Sequence, residues 1–177
     1  MNKHNTGLIL VDVQGKLAEQ MVDYQGLFER LRVLIAGAQL MDIPIVWMEQ
    51  LPAKLGATRD EIIDLLPGQA LEKNTFSGLK NEKIVQTIQS HKRSSWLVAG
   101  IEAHICVYQT VSDLLSQKYD VQLVTDAVSS RSEENRALAI AKMQSLGASL
   151  TSVEMALFEL QEIAEGDVFP ELIRLVK

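Results

Sequence analysis

The feature that most restricts the fold of this chain is a repeated exchange between two periodicities. Thr6 to Val11 (TGLILV), Pro44 to Met48 (PIVWM), Ser95 to Ala99 (SWLVA) and Val121 to Val124 (VQLV) are short and rich in β-branched or aromatic residues. An unbroken apolar run of this kind, such as the one that ends at Asp12, is the pattern of a strand covered on both faces in a parallel sheet. Ala148 to Thr151 is a weaker strand of the same type. Between these runs the spacing changes. Leu27 to Leu40 repeats its apolar residues at intervals of three and four, which predicts an amphipathic helix. Asn81 to Ser90, His104 to Gln117 and Glu133 to Leu146 read likewise, the last two stopping near Lys118 and Gly147. Strand alternating with helix predicts an α/β fold, a parallel sheet with helices on both faces and right-handed crossovers. In such sheets ligands gather at the carboxyl ends of the strands.

With 177 residues, no internal repeat and no Pro/Gly/Ser-rich linker, residues 1–177 are expected to form one domain with a core of its own. The formal charge of −6, from 17 basic and 23 acidic side chains, argues against a protein held on nucleic acid or anionic lipid by bulk electrostatics. No segment approaches the roughly 20 apolar residues of a membrane span, and Met1 to Thr6 lacks a cleavage-like pattern. A single cysteine, Cys106, leaves no internal disulfide and no multi-cysteine metal site. Together these readings predict a cytoplasmic protein. Glu49 to Gly78 is the least regular stretch, holding Pro52, Gly56, Pro67, Gly68 and Gly78. A long irregular segment of this kind is usually functional or mobile, so this one is expected to close over a site or a neighbouring subunit. The tail from Glu154 to Lys177 reads as one or two short helices broken near Gly166 and Pro170.

The phosphate-cradling glycine motifs, the G-x-S-x-G elbow and H-E-x-x-H are all missing, and His4, His91 and His104 have no metal-ligand spacing. Three positions remain. Asp12 directly follows the first strand, where a partly dry sheet edge raises a carboxyl pKa and makes it a proton acceptor; the same position suits a helix cap or turn, and position alone does not decide. Cys106 lies in GIEAHICV, six residues after the glycine that ends a strand and close to a helix start, a setting that favours thiolate. A lone cysteine is more often a small buried hydrophobe. Lys73, in the loop LEKNTFSG, could stabilise a thiolate and an oxyanion if it crosses the same edge. Lysine in a loop is otherwise a solvated surface charge.

Taken together, these segments resemble the isochorismatase-like cysteine hydrolases over nearly the whole chain. The carriers are Leu8 to Gln14 (LILVDVQ), Lys73 to Ser77 (KNTFS) and Gly100 to Val107 (GIEAHICV), followed by Asp126 to Arg131 (DAVSSR) and Leu150 to Glu154 (LTSVE). The resemblance implies a three-layer Rossmann-like fold around a central, mostly parallel sheet, with an Asp-Lys-Cys triad of Asp12, Lys73 and Cys106. Asp12 would take the thiol proton, Lys73 would hold the ion pair and Cys106 would attack a carbonyl-type carbon to form a covalent intermediate. It also implies a non-proline cis peptide at Ile101–Glu102, turning the Glu102 N–H to join that of Cys106 in an oxyanion hole.

The departures are as informative. Nicotinamidases of this superfamily carry an Asp-x-His pair and a second histidine for a metal after the second strand. Trp47 to Pro52 here reads WMEQLP, with Glu49 but no histidine, so the resemblance implies no metal, no cofactor and a substrate other than nicotinamide. True isochorismatases often replace the cysteine, which Cys106 does not follow. The alignment sets Trp47, Phe76 and Tyr108 near the site as pocket walls, each equally readable as core, and gives Gln14 and Glu49 the task of orienting Lys73 or the substrate. The expected partner is a small amide or related C–N or carbonyl compound, and the family's habit of assembly implies a homo-oligomer, dimer or larger. Two competing readings stay open: a binding or scaffold protein without turnover, and a redox-sensing thiol. A working triad predicts alkylation of Cys106 well below the ordinary thiol pKa of about 8.5.

Overall fold

The computed structural model describes residues 1–177. Six strands form one sheet: β1 (Thr6–Val11), β2 (Ile45–Gln50), β3 (Leu71–Lys73), β4 (Ser95–Ile101), β5 (Asp120–Ser129) and β6 (Ser149–Thr151). Their spatial order is β3-β2-β1-β4-β5-β6, and every neighbouring pair is parallel. The order reverses between β1 and β4. That makes the carboxyl ends of these two strands the topological switch point, where loops diverge to opposite faces and open a crevice.

Alternation along the strands divides the core in two. Leu8, Leu10, Ile45, Trp47, Leu97 and Ala99 face one layer, built by α2 (Tyr24–Leu40), α8 (Val153–Gln161) and α9 (Val168–Val176). Ile9, Val11, Val46, Met48, Trp96 and Val98 face the other, built by α5 (Glu82–Ser90), α6 (Tyr108–Ser116) and α7 (Glu133–Ser145). Both sheet faces are therefore dry, the reason the strands read as continuous apolar runs. Gly37 lets α2 and α8 close together, since a Cβ there would stand 2.5 Å from the Leu157 side chain. Asn81, Ser132 and Ser152 cap α5, α7 and α8 by accepting from the N–H of Ile84, Asn135 and Met155.

The structure differs from the sequence reading in five places. The irregular stretch contains β3, two single-turn helices, α3 (Pro52–Leu55) and α4 (Asp60–Ile63), and a 3₁₀ turn at Gly78–Lys80; a three-residue edge strand with one apolar member, Leu71, is too short to show a period. β5 runs well past Val124, bulging where its register with β4 shifts between Val98 and Gly100. The segment read as one helix from His104 opens as a π-turn, Ala103–Val107, before α6. Pro170 does not break the tail, because it is the third residue of α9 and its missing N–H falls where a helix has no acceptor to lose. A further single-turn helix, α1, spans Gly15–Ala18.

Candidate active site

Each of the three candidate residues stands at the carboxyl end of a strand. Asp12 follows β1, with φ +50°, in the left-handed region that Asp tolerates better than most residues. Its N–H donates to the Met48 carbonyl at 3.2 Å, and this tie to β2 fixes where the carboxylate points. Lys73 closes β3, in register with Gln50 of β2. Cys106 lies in the π-turn after β4. Gly100, with φ +119°, sits where a Cβ would come within 2.1 Å of the Val11 carbonyl oxygen, so β4 passes β1 at this level only as glycine. The Ile101–Glu102 peptide that follows is cis.

The Lys73 side chain reaches over β2 to β1. Its ammonium donates to Asp12 Oδ2 at 2.7 Å, to Gln50 Oε1 at 2.6 Å and to the Thr75 carbonyl at 3.1 Å, which uses all three N–H groups. The lysine side chain is fully buried and that of Asp12 nearly so. The second carboxylate oxygen, Asp12 Oδ1, is buried and receives no hydrogen bond. Cys106 is close enough for its thiol and the Asp12 carboxylate to perturb one another's protonation.

Burial dominates both groups. It raises the Asp12 pKa above the ordinary carboxylate value against the opposing pull of Lys73, and the negative charge of Glu49 adds to the rise. The Cys106 thiol is pushed up to about 12, first by burial and then by the charge of Asp12, with Lys73 opposing. Desolvation and the adjacent negative charge favour the neutral thiol and work against alkylation of Cys106 well below the ordinary thiol pKa, while the one ammonium, whose donors are committed to Asp12, Gln50 and Thr75, works for it.

The remaining predicted residues fall into different roles. Gln14 is fully buried and staples the end of β2, accepting from the Gln50 N–H at 2.6 Å and donating to the carbonyls of Gln50 (3.2 Å) and Gly56 (2.7 Å). Glu49 is buried and accepts at Oε1 from both the N–H and the hydroxyl of Thr58, each at 2.7 Å. Glu102 accepts at 3.0 Å from Arg131 Nε and keeps its own N–H free of any hydrogen bond within the chain. Trp47 is not at the thiol: it faces the opposite core layer and its indole donates to the Pro67 carbonyl. Tyr108 lies under the Lys142 ammonium of α7, 4.8 Å from the ring centroid. Phe76 stands outward, 55% exposed, next to Thr75. The sequence reading missed Gln50 and Thr75, the two other acceptors of Lys73. The register of Gln50 opposite Lys73 would have pointed to the first, but it depends on the unread strand β3. A wider groove of about 560 Å³ involving Pro44, Trp47, His91 and Arg93 lies at the amino ends of the strands, away from this site.

A six-stranded parallel sheet flanked by helices, with a buried carboxylate, ammonium and thiol at its carboxyl edge, places the chain in the α/β Rossmann-like class. The model of the isochorismatase domain matches residues 6–155, and the chain belongs to the isochorismatase family. The secreted isochorismatase effector Isc1 of Phytophthora sojae is 33% identical to it over 180 residues, covering 98% of this chain and 85% of its own length. A structure described as the MAR1 ribonuclease from Caenorhabditis elegans matches with TM-score 0.93 at 32% identity, covering 99% of this chain and 91% of that one. The YcaC gene product from Escherichia coli, described as an octameric hydrolase of unknown specificity, matches with TM-score 0.90 over 99% of this chain and 94% of that one, at 20% identity, a likeness of fold. Family membership supports a hydrolase in the general sense, and no helix is long and apolar enough to cross a membrane.

Proposed function

We propose that this chain, acting as one domain over residues 1–177, is a metal-independent cysteine hydrolase of small amides or related C–N compounds, working through Asp12, Lys73 and Cys106. The observation that carries this reading is the buried Lys73–Asp12 pair, 2.7 Å apart, facing the chain's only cysteine. As the sulfur attacks the carbonyl carbon, the thiol proton passes to Asp12 and the carbonyl π pair moves onto oxygen. The Glu102 and Cys106 N–H groups are the proposed donors to that oxygen; the Glu102 donor is free to serve. Collapse expels the amine, which takes the proton from Asp12, and leaves a thioester. Water then attacks, Asp12 again receives the proton, and breaking the C–S bond returns it to sulfur, with the acid released. Lys73 keeps the Asp12 carboxylate in place and charged between proton transfers.

Residues that fit a metal site are not assembled here. Glu49, in the position of a family metal ligand, is tied to Thr58, and no group of three His, Cys, Asp or Glu side chains converges in the chain. A single reactive thiol suits a reducing compartment such as the cytoplasm, and outward-facing Phe76, Leu138 and Met155 suit self-association.

Ammonia release from a panel of small carboxamides tests the reading. Turnover that Cys106→Ser abolishes supports it; turnover that survives this change removes Cys106 as nucleophile. The C. elegans relative's description raises a second reading, cleavage of RNA, which uses no thiol and brings a polyanion to a chain of charge −6. RNA cleavage lost in the Asp12→Asn protein, with every amide inert, would favour that alternative.

A further inference from the structure

Arg131 lies two residues beyond β5, which neighbours β4 on the side of the sheet away from β3 and Lys73. The segment that carries it is joined to the Cys106 turn by two side-chain links. Ser130 Oγ lies 2.9 Å from His104 Nδ1, and Arg131 Nε donates to Glu102 Oε2 at 3.0 Å, with the Arg131 N–H a weaker donor to the same oxygen at 3.4 Å. His104 and Glu102 are the residues two and four positions before the nucleophile. Ser130 is fully buried and Glu102 is 6% exposed, so this clamp has a firm base.

The Arg131 side chain is 54% exposed. Only its Nε edge is used; neither terminal nitrogen hydrogen-bonds within the chain. Two parallel N–H donors at the outer end of a held guanidinium match a carboxylate in bidentate fashion, a pairing that an ammonium cannot reproduce. The surrounding charges make the role distinctive. Asp12, Glu49 and Glu102 place carboxylates about the site, while every donor of Lys73 is occupied. A substrate carboxylate entering here finds unsatisfied cationic donors at Arg131 and none at Lys73.

We infer that Arg131 is a specificity-determining residue that binds a carboxylate on the substrate, so that the preferred substrates are amides whose acyl part carries a second, ionised acid group. This deepens the hydrolase reading and rests on it for turnover. Glu102, four residues before Cys106, takes up Nε and leaves both terminal nitrogens of Arg131 without a partner in the chain.

The experiment compares substrate pairs alike in shape and differing in charge: succinamate against 4-methylpentanamide, and malonamate against 3-methylbutanamide. The expected result is a kcat/KM at least tenfold higher for the acid of each pair. Arg131→Gln should lower kcat/KM for the acids by about 10- to 100-fold, mainly through KM, and change the neutral amides by less than about threefold. Arg131→Lys should restore part of the loss. Equal losses on acids and neutral amides would assign Arg131 a structural role through Glu102 and overturn the inference, as would the absence of any preference in the wild-type protein. Calorimetric titration of Cys106→Ser protein with succinamate separates this outcome from failure of the hydrolase reading. Binding that disappears in the Cys106→Ser, Arg131→Gln double variant supports the carboxylate site even where no amide is hydrolysed; binding that is absent or indifferent to Arg131 overturns it.

Discussion

Lys73 and Asp12 are separated by 61 positions in the chain and by 2.7 Å in space, with the Gln50 side chain of the intervening strand accepting a second hydrogen bond from the same ammonium. The consequence is energetic as well as chemical. Two buried charges forfeit hydration that their mutual attraction only partly returns, so the pair adds little stability as a pair, yet loss of either member strands the other in a dry site.

Lys73→Met should therefore destabilise the protein by about 3 kcal/mol or more in urea unfolding. The Asp12→Asn, Lys73→Met double variant should recover much of that loss, because neither charge is left buried alone. Additive losses in the two single variants and the double would show that the side chains do not interact energetically.

Iodoacetamide labelling should report a protonated resting thiol. With Cys106 pushed up to about 12, the labelling rate should rise about tenfold per pH unit from pH 8 to pH 10 without a plateau. Asp12→Asn removes the nearby negative charge while Lys73 stays, so this variant should label faster than wild type at pH 8 although it has lost the base and no longer hydrolyses amides. Slower labelling would mean that Asp12 does not face the sulfur.

Stability should fall in alkali for the same reason. The unfolded chain releases its thiol proton near pH 8.5, whereas the native protein holds it up to about pH 12. Protonation thus favours the native state across this interval, and the free energy of unfolding should decline as pH rises through it. Cys106→Ala should lack this component, so that the difference between the two proteins' unfolding curves changes with pH above about 8.5 and is constant below.

Gln50→Leu leaves one Lys73 N–H without its side-chain acceptor. An unmet buried donor costs about 1 to 3 kcal/mol, and kcat should fall by at least about tenfold with KM little changed. Steady-state kinetics alongside urea unfolding separate this positioning effect from general loss of protein. Unchanged kcat would show that Gln50 is dispensable for holding Lys73.

Gly100→Ala tests the passage of β4 behind Asp12. The new Cβ would stand 2.1 Å from the Val11 carbonyl oxygen at a backbone angle of +119°, so the variant should lose about 3 kcal/mol or more, or fail to fold. A soluble variant of wild-type melting temperature would contradict the close β1–β4 approach.

Much of this architecture could be read along the chain. TGLILV and SWLVA are apolar without interruption because both faces of their strands are covered, and the spacing of Leu27, Leu31, Leu34 and Ile35 marks the stripe that α2 buries. Such signals are local: a residue's burial on a strand or helix repeats with the geometry of that element alone. The resemblance that set Asp12, Lys73 and Cys106 apart also rests on short contiguous motifs. β3 was illegible because three residues, Leu71 to Lys73, contain no complete period, and its edge position gives it a single neighbour.

The sequence by itself determined the layered α/β class and nominated the groups able to do chemistry. Only the tertiary structure decided that Lys73 reaches Asp12 across Gln50, that Trp47 turns to the opposite layer, and that Cys106 is buried beside the Asp12 carboxylate. Those outcomes depend on strand order, register and the dielectric surroundings that distant segments create jointly, and no one stretch of chain contains that information.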